Sequence, residues 1–324
     1  MSNIPPSHFS SLKVAMLAGG IGGAKLVLGF DRIMAPGHLT AIVNTGDDFT
    51  HFGLKICPDI DSVAYALAGL ANKTYGWGLE GETWKVSDAL EVFGAPTWFQ
   101  LGDRDLATHL ERTRLLRHGK KLSEVVDDFS ERWGIASRIL PMSNDEAPTL
   151  IETKAGVALP FQDYLVREKA QPVISRILLH GGYEPEVLPE ALMAIEEADL
   201  VVIAPSNPWV SIDPILALPG VREALAEKYV TAVSPIIQGK AIKGPAAKMF
   251  AELGVQPSSL AVMRHYADIL NMFVYDSSEK AYAAAEIPLR VLPVQMPTIM
   301  TDEADKVGLA QSILGQFADQ IGAL

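Results

Sequence analysis

A glycine-rich run near the start of the chain holds residue types that bind phosphate. Residues 17–25 read Leu-Ala-Gly-Gly-Ile-Gly-Gly-Ala-Lys, an apolar strand pattern that continues directly into glycines and Lys25. The glycines are Gly19, Gly20, Gly22 and Gly23. Glycines leave backbone N–H groups open to an anion, and a helix that follows points its positive end to the same place. The run therefore predicts a phosphate site; the alternative is a tight strand-to-helix turn without a ligand.

This run departs from the two common nucleotide fingerprints. A P-loop has glycine before its lysine and Ser or Thr after it, whereas Ala24 and Leu26 flank Lys25. A dinucleotide fingerprint counted from Gly20 meets Lys25 where its third glycine belongs. The next apolar run, residues 39–43, ends without an acid that could bind a ribose. These departures argue against a P-loop kinase and leave a nicotinamide-dependent oxidoreductase as the weaker alternative.

A pair of acidic residues follows the second predicted strand. Asn44, Thr45 and Gly46 lead into Asp47 and Asp48. Because the carboxyl ends of neighbouring parallel strands lie side by side, we expect this turn beside the glycine run. Carboxylates next to bound phosphates commonly hold Mg²⁺, with further ligands from substrate and water. The two aspartates are therefore candidate metal ligands, of which only one is expected to bind; a solvated acidic turn is the alternative.

The residues just beyond this acidic pair are interpreted mainly as structural. His51 could be a ligand or a base, but a lone loop histidine more often makes structural hydrogen bonds. Asp59 and Asp61 follow Pro58 and predict a capped start of the next helix.

Two later apolar runs, residues 200–204 and 230–233, also end in polar residues. The candidates that follow them are Ser206, Asn207, Ser234, Lys240 and Lys243. Hydroxyl, amide and lysine groups at the ligand-bearing edge of a sheet can bind a diphosphate. Away from that edge they would be helix caps and ordinary surface lysines.

The elements that must position these residues alternate between strands and helices. Near-continuous apolar runs predict buried parallel strands at residues 14–17, 39–43, 177–179, 200–204 and 230–233. Helical spacing of apolar residues lies between most of them, and two more strands and a closing helix are predicted after residue 270. This alternation predicts an α/β fold with a Rossmann-like, doubly wound, mostly parallel sheet, whose ligands bind at the carboxyl ends of the strands.

Residues 75–164 have a different pattern, with four of the five tryptophans and several charge-rich helical segments. They predict a mostly helical inserted lobe that covers the sheet. The α/β core is then made of residues 1–74 and 165–324, and segments 137–140 and 155–159 are candidate short strands at the far edge of the lobe.

Composition limits the classes of protein that fit. The chain has 324 residues, 48% of them hydrophobic, which is ordinary for a globular protein. Cys57 is the only cysteine, so internal disulfides and a Cys-rich zinc site are excluded. The net charge of -12 argues against nucleic acid as a partner. Without a signal-peptide pattern or an apolar run of roughly 20 residues, we expect no membrane association and a cytoplasmic location.

Five motifs, taken in order, resemble the 2-phospho-L-lactate transferase family of deazaflavin coenzyme biosynthesis. They lie at residues 17–25, 44–48, 51–62, 204–208 and 234–245. The resemblance covers nearly the whole chain. It implies a magnesium-dependent, dimeric enzyme that transfers a phospho-acid unit from a guanosine diphosphate-linked donor to the ribityl hydroxyl of a hydroxy-deazariboflavin and releases GMP. The acid is of the phospholactate, phosphoenolpyruvate or phosphoglycerate type. A non-catalytic nucleotide sensor is the alternative from a different class.

The resemblance also implies roles for individual residues. Asp48 becomes the first candidate for the metal ligand and for contact with the attacking hydroxyl, with Asp47 as its neighbour. The glycine run and Lys25 would bind a phosphate. Ser206, Asn207 and the segment from Ser234 to Lys243 would contact the nucleotide diphosphate. Lys85 would contact the flavin, and the role of the polar turn around Asn144 stays open.

Overall fold

Seven parallel strands form the central sheet in the part of the chain that the structure describes. The computed structural model describes residues 11–74, 76–241 and 245–322. From one edge to the other, the sheet consists of β14 (Leu292–Met296), β13 (Met272–Asp276), β10 (Val230–Val233), β9 (Leu200–Ile203), β1 (Val14–Ala18), β2 (Leu39–Val43) and β5 (Arg138–Pro141). Every neighbouring pair is parallel. The strands are mostly buried on both faces, which explains why they read as continuous apolar runs.

Helices cover both faces of this sheet. They are α1 (Gly20–Asp31), α2 (Pro58–Leu67), α3 (Lys85–Val92), α4 (Asp103–Arg117), α5 (Leu122–Arg132), α6 (Pro189–Glu197), α7 (Asp213–Leu216), α8 (Val221–Ala226), α9 (Ala246–Glu252), α10 (Ser259–His265) and α11 (Glu303–Ile321). On one face, α1, α2 and α11 share an apolar cluster with the sheet through residues such as Phe30, Val63 and Leu314. On the other face, α6 and α10 contribute Ile195 and Val262. The prediction of a doubly wound α/β sheet is therefore confirmed.

The order in which the chain adds strands to the sheet changes direction between β1 and β9. The first connection runs from β1 through α1 to β2 on one side, whereas β9 pairs with β1 on the other side. Ligands of doubly wound sheets bind at such a switch point, beyond the carboxyl ends of the strands. The glycine run follows β1 and the Ser206 turn follows β9, so both lie at this point.

Among the described residues, three small antiparallel sheets accompany the main one. They are β3 (Phe49–His51) with β4 (Leu54–Ile56), β6 (Leu150–Thr153) with β7 (Ala158–Pro160) and β8 (Ile174–Leu178), and β11 (Ile236–Ile237) with β12 (Lys240–Ala241). The prediction of a parallel core strand at residues 177–179 was wrong. Ile177 belongs to β8, which pairs antiparallel with β6, and it packs on a separate small cluster around Tyr164. A local apolar run does not reveal which of two cores it joins.

The segment predicted as an inserted lobe is helical only in its first part. Helices α3, α4 and α5 lie there, but β5 pairs in parallel with β2 and belongs to the main sheet. The chain thus contributes a strand to the main sheet from Arg138, within the segment 75–164 that was predicted as the lobe. Among the described helices, none combines the length and the apolar character needed to cross a membrane.

Candidate functional site

A cavity of about 710 Å³ opens beyond the carboxyl ends of β1, β2 and β9. Part of its lining is polar and comes from carboxylates, Ser206 and residues 19–22. Residues 19–23 are termed the glycine loop. Another part is aromatic and includes Trp77, Trp98 and Phe99, which lie in the chain between α2 and α4. The cavity therefore joins the switch point of the sheet to the helical segment.

The glycine loop is hydrogen-bonded to two other elements. Helix α1 begins at Gly20, whose N–H donates to Asp59 Oδ1 at 2.7 Å. The Ser206 hydroxyl donates to the Gly19 carbonyl at 2.7 Å, and the Gly19 N–H lies 3.2 Å from Ser206 Oγ. The first N–H groups of a helix have no acceptor within the helix. The loop thus points the start of α1 toward the cavity.

Close packing explains the glycines as directly as anion binding does. A Cβ atom at Gly22 would lie 2.5 Å from the carbonyl oxygen of Pro205, and one at Gly23 would lie 2.8 Å from Ser206 Oγ. A Cβ at Gly19 would lie 2.7 Å from Asp59 Oδ2. The turn after β9 therefore approaches α1 so closely that side chains are excluded.

Replacing Gly22 by alanine should destabilise the protein by about 1–3 kcal/mol, because the added methyl group collides with backbone that cannot move freely. Thermal or chemical unfolding measures this change. Gly308→Ala is the matched control: Gly308 lies inside α11, and a Cβ added there would meet no atom of the described residues within 4 Å. Alanine at this position should therefore stabilise by about 0.5–1 kcal/mol. Equal effects of the two changes would contradict the packing argument.

Lys25 connects α1 to the segment that follows β14. Its Nζ donates to the carbonyl oxygen of Met300 at 2.6 Å, and both residues line the cavity. Thr298 and Thr301 from the same segment also line it. The predicted phosphate-binding lysine therefore lies at the cavity with the glycine loop.

One asparagine joins two buried carboxylates at the floor of the site. Asn44 Nδ2 donates to Asp47 Oδ1 at 3.1 Å and to Asp59 Oδ2 at 2.9 Å. Its Oδ1 accepts the N–H of Gly46 at 2.8 Å, which closes the turn after β2. Both aspartates line the cavity. The turn after β2 and the start of α2 thus bring two carboxylates to one point beside the glycine loop.

These two carboxylates are poorly compensated in their ionised form. Burial and the neighbouring Asp59 charge raise the pKa of Asp47 well above its usual range. Burial also raises the pKa of Asp59 to about 6. A cation between them would offset both effects. Within residues 11–74, 76–241 and 245–322, no group of three or more His, Cys, Asp and Glu side chains could hold a metal ion. Mg²⁺ commonly takes one or two carboxylates plus substrate phosphates and water, so this pair fits it.

Asp48 lies behind the pair rather than in the cavity. It is buried, and Lys55 Nζ lies 3.5 Å from its Oδ2. The same Nζ donates to Glu146 Oε1 at 3.0 Å. Burial raises the pKa of Asp48 to about 7, although Lys55 opposes this rise. The described cavity lining includes Asp47 but not Asp48, which was the first candidate from the sequence.

The raised pKa of Asp48 predicts a pH-dependent contribution to stability. A folded-state pKa of about 7 lies above the usual 3.8, so the folded state binds this proton more tightly than the unfolded chain. The stabilisation that comes from protonated Asp48 is complete below the unfolded-state pKa. It is lost as the pH rises through the folded-state pKa. Asp48→Asn cannot lose a proton. Its unfolding free energy relative to wild type should therefore rise between about pH 4 and pH 7, by at most about 4 kcal/mol. Urea unfolding in metal-free buffer measures this, and parallel curves would contradict it.

The other residues singled out in the sequence lie in several places. Ser206 and Asn207 line the cavity, and Asn207 Oδ1 also accepts the N–H of Trp209 at 3.1 Å. Thr45 is buried. Ser234 is buried, and its hydroxyl donates to the carbonyl oxygen of Ile236 at 2.8 Å. The described lining includes none of Thr45, Gly46, Gly23, Lys85, Ser234 and Lys240. Lys85 and Lys240 are exposed, and Lys243 lies outside the described residues.

The interpretation of Asp59 and Asp61 as helix caps was wrong. The residue before α2 is Cys57, whose own side chain makes no capping hydrogen bond. Asp59 instead accepts hydrogen bonds from the glycine loop and Asn44, while Asp61 accepts from Arg112 Nη1 at 3.1 Å. Sequence reasoning therefore missed Asp59 as a site residue. The acid in the first helical turn, close in sequence to the Asp47 turn, was the available signal.

His51 belongs to an aromatic cluster next to the cavity. Its ring centroid lies 5.3 Å from that of Trp98, and Phe49 contacts Phe99 edge-on at 4.8 Å. Burial lowers the pKa of His51, which favours a neutral packed ring. Trp98 and Phe99 belong to this cluster and also line the cavity, where their rings form a flat apolar surface.

A doubly wound sheet with a polar cavity at its switch point is the architecture of α/β proteins that bind phosphate-containing ligands. The chain belongs to the 2-phospho-L-lactate transferase CofD family, whose family model matches residues 14–294. It is therefore a transferase of the phospholactate or phosphoenolpyruvate type, and the family resemblance seen in the sequence is confirmed.

Similar proteins include phosphoenolpyruvate transferases and 2-phospho-L-lactate transferases. A phosphoenolpyruvate transferase from Thermobifida fusca is 40% identical over 298 residues, covering 88% of this chain and 92% of that protein. A 2-phospho-L-lactate transferase from Methanosarcina mazei is 35% identical over 302 residues, covering 93% and 99%. A crystal structure of a Bacillus halodurans protein matches with a TM-score of 0.62 at 17% identity, covering 94% of this chain and 99% of that one. This last similarity concerns the fold alone.

Proposed function

We propose that the protein transfers a phospho-acid unit from a guanosine diphosphate-linked donor to the ribityl hydroxyl of a hydroxy-deazariboflavin, with release of GMP. The observation that supports this most is the pair Asp47 and Asp59 beside the glycine loop, in one cavity with an aromatic surface. Attack of a hydroxyl on a diphosphate needs charge neutralisation and in-line placement rather than a covalent protein intermediate. The polar part of the cavity can neutralise charge on the diphosphate, and the aromatic part can place the acceptor for in-line attack.

In this proposal Asp47 and Asp59 would hold Mg²⁺, an ion that commonly takes its further ligands from substrate phosphates and water. When bound, Mg²⁺ supplies positive charge to the diphosphate oxygens. The N–H groups at the start of α1 and Lys25 bind phosphate, and Ser206 keeps the glycine loop in place through its two contacts with Gly19. Direct metal binding by Asp48 is the alternative, which requires this carboxylate to leave Lys55.

The aromatic lining is proposed to bind the flavin ring system. Trp98 and Phe99 present apolar faces, and the guanidinium carbon of Arg167 lies 5.8 Å from the Trp98 ring centroid. Aromatic rings stack on such surfaces in offset or edge-on arrangements. The ribityl chain would then extend from this surface toward the carboxylate pair.

Incubation of the purified protein with Mg²⁺, a deazaflavin acceptor and one guanylylated donor at a time tests the proposal. The phospholactate, phosphoenolpyruvate and phosphoglycerate donors are compared by GMP release and by the mass of the flavin product. We expect GMP and a flavin that has gained one phospho-acid unit with at least one donor. Binding of the guanylylated donor in equilibrium dialysis without GMP release would instead indicate a sensor. In a parallel incubation with added NADPH, oxidation of this cofactor with reduction of the deazaflavin would indicate an oxidoreductase. The homodimer is proposed from the same resemblance, and the cytoplasmic location is proposed from the single cysteine and the N-terminal pattern. Sedimentation tests the homodimer.

A further inference from the structure

Gln162 contacts the carboxylate pair from a part of the chain that the sequence motifs did not include. Its Nε2 donates to Asp47 Oδ2 at 3.2 Å, while Asn44 donates to Asp47 Oδ1 at 3.1 Å. Gln162 is 6% exposed and lines the cavity. Each oxygen of Asp47 therefore accepts a hydrogen bond from a different side-chain amide, so the plane of this carboxylate is fixed from two sides.

The backbone next to Gln162 is joined to the turn that carries Asp47. The N–H of Phe161 donates to the carbonyl oxygen of Thr149 at 3.0 Å, and the N–H of Thr149 donates to that of Gly46 at 2.7 Å. A Cβ at Gly46 would lie 2.4 Å from Thr149 Oγ1, so this contact leaves no space for a side chain. Two backbone hydrogen bonds thus set the distance between Gln162 and Asp47.

The local helix geometry after Gln162 is unusual as well. A π-helical segment, Asp163–Arg167, begins directly after it, and Leu165 from this segment lines the cavity. A second π-helical segment, Pro208–Ile212, provides the Val210 carbonyl oxygen, which lies 3.2 Å from Asn44 Nδ2. Short π-helical segments are rare and occur frequently at functional sites. Here the first segment begins directly after Gln162, and the second contacts the side-chain amide of Asn44.

We propose that Gln162 is a positioning residue that orients Asp47 toward the metal ion. This inference rests on the proposed function, because it assumes that Asp47 and Asp59 bind Mg²⁺. Residues that hydrogen-bond metal ligands keep them in the binding geometry, and their loss typically costs about 10–100-fold in metal affinity or activity. Gln162 acts through Asp47 and touches neither the donor nor the acceptor in this role.

Mn²⁺ binding, followed by the electron paramagnetic resonance signal of the free ion, tests the inference without turnover. Gln162→Met keeps the length of the side chain but removes the donor, and it should weaken Mn²⁺ binding by about 10-fold or more. Gln162→Asn keeps the amide but shortens the side chain, so it should weaken binding in the same direction. Gln100→Met is the matched control, since Gln100 lines the same cavity without a hydrogen bond to Asp47.

Two further readouts separate the possible results. In turnover assays, the Mg²⁺ concentration for half-maximal rate should rise in both Gln162 variants, while the rate at saturating Mg²⁺ stays within about threefold of wild type. Unchanged Mn²⁺ affinity in the Gln162 variants would overturn the inference. If Asp47→Asn and Asp59→Asn also leave Mn²⁺ binding unchanged, the metal assignment in the proposed function fails as well. If only these aspartate variants lose binding, the inference about Gln162 fails alone.

Discussion

Asp59→Asn should reduce the rate of GMP release by about 10²–10³-fold at saturating donor and acceptor. A metal ion that stabilises transferring phosphate contributes several kcal/mol, and each 1.4 kcal/mol corresponds to about tenfold in rate. Asparagine has nearly the same shape, and its oxygen can still accept the N–H of Gly20 that now donates to Asp59 at 2.7 Å. The variant therefore removes the charge and the acceptor of the Asn44 amide, while it preserves the contact with the glycine loop.

The control for this change is a surface aspartate. Asp268 is exposed and forms an ion pair with Arg222 away from the described cavity lining, so Asp268→Asn should retain wild-type turnover. Circular dichroism of both variants checks that the fold is intact. Near-normal GMP release from Asp59→Asn would move the metal site elsewhere. The same assay with Asp48→Asn then decides whether the carboxylate next to Lys55 takes that role.

The strand ends were predictable because parallel β-sheets follow strong local rules. The runs at β1, β2, β9 and β10 are apolar over strand length and end in turn residues, so the sequence placed Gly19, Asp47 and Ser206 at one edge of the sheet. The structure brings these residues to a single cavity, as expected. Local pattern and topology were sufficient for this part of the site.

Contacts between distant segments were not predictable in the same way. Gln162 lies 115 positions from Asp47 in sequence, and nothing in its neighbourhood indicates a contact with an aspartate. Asp59 was visible but was assigned to the wrong interaction, because an acid after Pro58 at a helix start fits capping equally well. The direction of a side chain within the first turn depends on how α2 packs, which only the three-dimensional structure shows.

The glycine loop illustrates how one pattern can have two physical causes. Its residues leave room for an anion, yet Gly22 and Gly23 also permit the close approach of Pro205 and Ser206. Sequence supports the first cause by analogy with nucleotide-binding loops, and the second appears only when the turn after β9 is in place. A loss of activity in a glycine variant therefore indicates a binding role only if stability is measured in parallel.

The largest effect on stability is expected from Arg112→Met. The Arg112 side chain is 1% exposed, and its guanidinium donates through both terminal nitrogens to Asp61, with Nη1 at 3.1 Å from Oδ2. Removing one partner of a buried ion pair leaves an uncompensated charge and costs about 3–5 kcal/mol. Arg114→Met is the matched control on the same helix: Arg114 is half exposed and pairs with Glu111, so its loss should cost less than about 1 kcal/mol. Urea unfolding measures both changes.

The double variant Asp61→Leu with Arg112→Met identifies the cause. Replacing both members of a buried ion pair by apolar side chains of similar size is often neutral or stabilising, so much of the lost free energy of unfolding should return. If the double variant is as unstable as Arg112→Met, then lost packing rather than the unpaired charge of Asp61 explains the effect. The pair also joins α2, which carries Asp59, to α4, whose Asp105 and His109 line the cavity. Because Asp61 itself lines the cavity, restored stability without restored turnover would show that the site needs this ion pair or the Asp61 carboxylate.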